Sequence, residues 1–197
     1  MSQILQSLYK TLFAGLVLLV LVLLVATSVS GQSIQFGHAW GTFVMRWLHV
    51  ICGVMWIGLL WYFNFVQIPS MPSIPDEQKP AISKVIAPTA LFWFRYAALA
   101  TVVTGLLLAW MQNYLVLALT LQLPFAAIGI GMWIALIMAF NVWFIIWPNQ
   151  KKALGIVPVE PAEKAKAART AMLTSRVNTM LSITMLYMMV AQQNAGL

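Results

Sequence analysis

Residues 12–30 read LFAGLVLLVLVLLVATSVS, nineteen residues without a charge. A bilayer core requires about 20 apolar residues in helical form. Backbone in hydrocarbon must also satisfy its own hydrogen bonds, which leaves helices or closed barrels. Four further stretches approach the same length and character, at about residues 40–66, 91–110, 125–147 and 171–192. The chain is 62% apolar and 8% charged, whereas a soluble domain carries about a quarter charged residues. The expectation is an all-α integral membrane helix bundle of about five transmembrane helices, forming a single domain over residues 1–197.

Two connections, QIPSMPSIPDEQKP and PNQKKALGIVPVEPAEKAKAAR, are rich in proline and polar residues and read as loops. Within the second, EPAEKAKAAR reads as a surface helix leading into the fifth span. QNYLVLALTLQLP reads as a tight connection. Lys10 and the small-residue ending SVSG give the first stretch the look of a cleavable signal peptide; we read it as a retained helix.

Basic residues alternate along the chain. Lys10 precedes the first span, Lys79 and Lys84 follow the second, and Lys151, Lys152, Lys164, Lys166 and Arg169 follow the fourth. Residues 31–39 and 111–124 contain no Lys or Arg. The positive-inside rule then puts the N-terminus in the cytoplasm and the C-terminus outside. The net charge of +7 marks orientation in a lipid bilayer; no nucleic-acid partner is implied.

The second span opens with RWLHVICGVMWIGLLWYFNF, which carries an arginine and a histidine one turn apart. On a helix His49 shares a face with Met45, Arg46, Gly53, Trp56 and Phe63. His49 is a candidate axial ligand, and the candidate metal ligand, for a b-type haem. Gly53, one turn deeper, would leave room for a flat macrocycle, and Arg46, one turn shallower, would meet its propionates. The plainer alternative is an interfacial histidine, a glycine that permits close helix packing and an arginine that reaches the surface alone.

A second axial ligand is not evident. His38 lies eleven residues before His49, about 16 Å along a continuous helix, so it serves the same iron only if the chain folds back at Gly37. Met185 and Met188 in the fifth span are thioether candidates, with core packing as the alternative. The single cysteine, Cys52, excludes an internal disulfide, and the lack of C-x-x-C-H excludes covalent haem of the c type. Asp76, Glu77, Glu160 and Glu163 all fall in connections, so no acid/base pair can be built within the spans. Arg95, Arg176, Asn64, Asn141 and Asn178 read either as helix-bridging polar groups or as a polar pocket in the inner half, the former being favoured.

The stretch RWLHVICGVMWIGLLWYF resembles the first histidine-bearing helix of the urate oxidase N-terminal domain family, the membrane domain of bacterial urate hydroxylases. The matching positions are Arg46, Trp47, His49, Gly53, Trp56, Ile57, Gly58, Tyr62 and Phe63. LFWFRYAALATVVTGLLLAW, NVWFIIWPNQKK and SRVNTMLSITMLYMM, with Asn178, resemble its later helices. Where the family's last helix commonly ends in histidine, this chain has Gln192 and Gln193, and Gln67 stands near a position often held by a carboxylate. The chain reads as a short standalone relative lacking the family's cytochrome c domain.

The resemblance implies a redox role, with haem at His49 and electrons exchanged with a separate cytochrome c. Two alternatives stay open. One is a non-catalytic accessory subunit of a larger respiratory or photosynthetic membrane complex. The other, more distant, is a urate hydroxylase that uses a separate cytochrome c.

Overall fold

The computed structural model describes residues 2–194, and every regular element in that range is helical. After one turn at Ser2–Leu5 come six helices: α1 Leu8–Ser30, α2 His38–Ser73, α3 Lys79–Met111, α4 Leu115–Leu119, α5 Ala126–Ala153 and α6 Pro161–Ala191. Four of them, α1, α2, α3 and α5, are long and apolar enough to cross a membrane.

The chain divides into two units, Met1–Gly41 and Thr42–Leu197. In the first, α1 is apolar on every side and has no buried residue. Gly31 ends it with a left-handed φ of 65°, the conformation that glycine adopts at little cost.

The second unit is a bundle around one core. Trp56, Leu60 and Phe63 of α2 meet Leu91, Phe94 and Ala98 of α3, Met138, Val142 and Ile146 of α5, and Met185 of α6. Trp56, Leu60, Ala98, Met138 and Val142 have no exposed surface. A smaller cluster, Ala109, Tyr114, Ala118, Ile128 and Met132, packs α4 between α3 and α5. Gly129 is required there, because a Cβ on it would stand in hard overlap with the Ala118 carbonyl.

The fifth expected span is a long helix, but it falls outside the four that are apolar enough to cross a membrane. Charged residues in its first turns, the exposed Arg176 and a partly polar inner stripe together lower its hydropathy. Ala167, Ala171, Ser175, Asn178 and Ser182 are all buried and recur every three or four residues. Small and polar side chains lower the helix's hydropathy while letting α6 approach α5 closely. EPAEKAKAAR is helical, as expected, and forms the start of α6.

The proline-rich connection after the second span departs from expectation. Helix α2 runs on to Ser73 and α3 begins at Lys79, so residues 74–78 alone separate them. Three prolines sit inside these long helices just past a π-helical segment: Pro69 after Tyr62–Gln67, Pro88 after Ile82–Ile86 and Pro148 after Asn141–Ile146. Proline lacks an N–H and crowds the carbonyl four residues back. Widening the preceding turn to i+5 bonding relieves both problems, so the helix continues.

Candidate functional site

His49 lies on α2, half-buried against α3. Its Nδ1 is 3.0 Å from the backbone oxygen of Thr101 and 3.2 Å from Thr104 Oγ1. A carbonyl oxygen only accepts, so Nδ1 carries the proton and donates. In the neutral ring this leaves the Nε2 lone pair free, the state in which imidazole binds a metal. Metal-ligating histidines are commonly held through the other nitrogen by a backbone carbonyl in this way. The Thr104 hydroxyl donates to Ala100 O at 2.6 Å, so its oxygen is turned to accept from the ring.

The ring rests on Gly105. A Cβ at that position would stand 2.8 Å from His49 Cε1 and 3.2 Å from Nδ1, closer than side-chain carbons approach one another. Thr101, Thr104 and Gly105 therefore form the seat of the imidazole. None of the three stood out in the sequence as a partner of His49. The signal was present in TVVTG, which places two threonines and a glycine at i, i+3 and i+4 on one helical face.

Gly53 faces α3, where a Cβ would meet the Thr101 methyl at 3.9 Å, an ordinary van der Waals contact. Met185 is buried in the main core, and Met188 lies against Gly131 of α5. His38 is the first residue of α2, so the chain there is helical rather than folded back as a loop. Cys52 is a free, half-buried thiol.

Arg46 has a partner that the sequence did not suggest. Its Nη1 donates to Gln193 Oε1 at 3.1 Å, while its Nε is buried without a hydrogen-bond partner. The neighbouring Gln192 ties down the start of α5: its Nε2 donates to Pro124 O at 2.8 Å, and its Oε1 accepts from the Ile128 amide at 3.3 Å. An orphan N–H in the first turn of α5 is thereby satisfied. Both glutamines thus tie elements of the bundle together.

The three asparagines act largely as helix bridges. Asn178 is fully buried; its Nδ2 donates to Met138 O at 2.9 Å and its Oδ1 accepts from Asn141 Nδ2 at 2.8 Å. Asn64 Nδ2 donates to Ser175 Oγ at 2.8 Å and to Leu60 O at 2.9 Å. Trp61 Nε1 donates to Ser182 Oγ at 3.0 Å. Arg176, by contrast, is exposed.

Arg95 differs from the asparagines. It is buried in α3, with Cζ 3.3 Å from the ring centroid of Trp147 and 5.9 Å from that of Trp143. Its Nε and Nη1 have no hydrogen-bond partner. Of the acids, Asp76 pairs with Lys79 and Glu163 with Lys152, each at 2.6 Å. The Lys79 hydrogen bond and charge hold the Asp76 carboxyl below its usual range.

Among the described residues, no three His, Cys, Asp or Glu side chains gather into a metal-binding group. A haem, needing one protein nitrogen at the iron, makes no such demand. In comparison with known proteins, the chain matches no family model, no curated protein and no solved structure.

Proposed function

We propose that the chain is a five-span bacterial inner-membrane redox protein of the urate oxidase N-terminal type, in which His49 serves as an axial ligand of a b-type haem. The observation that carries this reading is the bond from His49 Nδ1 to the Thr101 carbonyl. It fixes the tautomer, holds the ring on Gly105 and leaves Nε2 as a free lone pair. A bound haem would supply one-electron exchange, which suits a separate cytochrome c on the outer side. The chain's own part is to orient the imidazole, to exclude water from it with α3, and to offer Arg46 to an anionic group beside it. Arg46 supports the reading because a neutral amide is its hydrogen-bonding partner and its buried Nε remains open.

The fifth span in this proposal is α6. Its polar stripe faces the bundle, where Asn64, Trp61 and Asn141 take up its hydrogen bonds, so the helix can sit in lipid despite its lower hydropathy. The alternating basic residues support a cytoplasmic side at residues 151–169.

The test is haem retention in the purified protein. His49→Ala abolishes it, His38→Ala spares it, and retention of full haem by His49→Ala removes the proposed ligand.

A second reading, an accessory subunit of a larger membrane complex, is favoured by α1, which is apolar all round with no residue buried. Co-purification from solubilised membranes of a stoichiometric complex without haem would favour this reading over the first. Urate hydroxylation with a separate cytochrome c has the family resemblance alone in its support.

A further inference from the structure

Ten residues separate Gly105, beneath His49, from Arg95 on the same helix, which is about 15 Å of helical rise. The Arg95 end of the bundle therefore has its own chemistry. Arg95 is 9% exposed as a residue, and its Cζ lies 3.3 Å from the Trp147 ring centroid. Lys151 Nζ lies 5.7 Å from the same centroid. An indole face answers the charge of a cation, but it offers no acceptor to N–H groups. Arg95 Nε and Nη1 are buried and unbonded, and so is Trp143 Nε1, whose ring centroid lies 5.9 Å from the guanidinium carbon. Guanidinium and indole are donors only, so whatever satisfies them must accept. The acceptors left open in the bundle, Asn64 Oδ1 and Gln67 Oε1, are themselves unpartnered and do not reach them. Asp76 and Glu163 are paired with lysines.

We propose that Arg95, Trp143, Trp147 and Lys151 form a binding site for a small oxyanion of the phosphate or carboxylate type. Trp147 is the platform that holds the two cations, Arg95 supplies planar charge-assisted donors, Trp143 adds an indole N–H, and Lys151 adds charge from the adjoining turn. The site goes beyond the redox reading at His49 and does not depend on it. The oxyanion comes either as the phosphate of an anionic phospholipid or as a soluble anion.

Thermal unfolding and tryptophan fluorescence of the detergent-purified full chain test the proposal. The probes are sodium phosphate, sodium acetate, and mixed micelles of phosphatidylglycerol or phosphatidylcholine, each against sodium chloride at matched ionic strength. At least one anionic probe should raise the melting temperature and change the fluorescence. Arg95→Gln should lower its apparent affinity by about tenfold or more, and Lys151→Gln by roughly two- to fivefold. A response to phosphatidylglycerol alone identifies a lipid headgroup, and a response to phosphate or acetate a soluble anion. If Arg95→Gln does not fold, Trp143→Phe keeps the ring, removes one donor and should weaken the response. No response of the wild type to any anionic probe, or an equal response in wild type and variants, overturns the site.

Discussion

The imidazole of His49 lies across Gly105, so close that a Cβ on the glycine would stand 2.8 Å from Cε1. This contact couples two helices at the point where the redox proposal puts its ligand. Gly105→Ala should therefore tilt the ring off Thr101 O and destabilise the bundle by about 1–3 kcal/mol, the usual range for overpacking. Gly53→Ala is the control, since its Cβ would meet only the Thr101 methyl at 3.9 Å. Thermal unfolding of both variants in detergent checks the difference. Equal stability of the two would mean that the glycine is not seating the ring.

Asn178 is the polar keystone between α5 and α6. It donates to Met138 O and accepts from Asn141 in a position with no exposure. Interhelical hydrogen bonds in membrane proteins average about 0.6 kcal/mol and reach about 1.7. Asn178→Ala loses two and should cost about 1–3 kcal/mol. In a double-mutant cycle with Asn141→Ala, measured by unfolding in mixed micelles, the two losses should fall short of additive. Strict additivity would show that the amides do not act on one another.

Much of this was legible in the sequence, for identifiable physical reasons. The apolar stretches announced the long helices, because length and hydropathy are properties of a single segment. Proline misled at residues 67–80, since local composition does not reveal that a π-helical turn ahead of Pro69 lets the helix carry on. At α6 the sequence suggested a fifth span; the helix is there but is not among those apolar enough to cross, and its Ser175, Asn178 and Ser182 are buried, with partners on other helices. The site was half visible. His49 and Arg46 stood out because charged and titratable groups are costly in hydrocarbon. Their partners did not: Thr101 is 52 residues away from His49, and Gln193 is 147 away from Arg46. Gln193 in particular stood in the sequence as the residue replacing a family histidine, which hid its role as an acceptor.

Orientation is the third prediction. A reporter that is active only in the cytoplasm should be bright when inserted in residues 154–160 and silent when fused after residue 197. The reason is the basic residues in the last turn of α5 and the first turns of α6, against their scarcity on the alternate side. A bright signal at both places would mean that α6 does not cross, and it would leave four crossings.

Arg46 supplies the fourth. Its side chain donates to a neutral amide, that of Gln193, so Arg46→Gln should leave insertion and yield unchanged while lowering haem retention. Gln193→Glu should raise the melting temperature of the haem-free protein, since a carboxylate in place of the amide makes a charge-assisted pair. Full haem retention in Arg46→Gln, read from the ratio of Soret to protein absorbance, would show that the arginine serves the bundle alone.

The central claim is that His49 Nε2 is presented to a haem iron. The direct measurement is the reduced-minus-oxidised absorption spectrum of the full chain, purified in detergent from a host that makes haem. The account predicts Soret and α-band differences of a b-type haem, lost in His49→Ala. A folded, intact protein with no such difference, before or after incubation with haem, would contradict it.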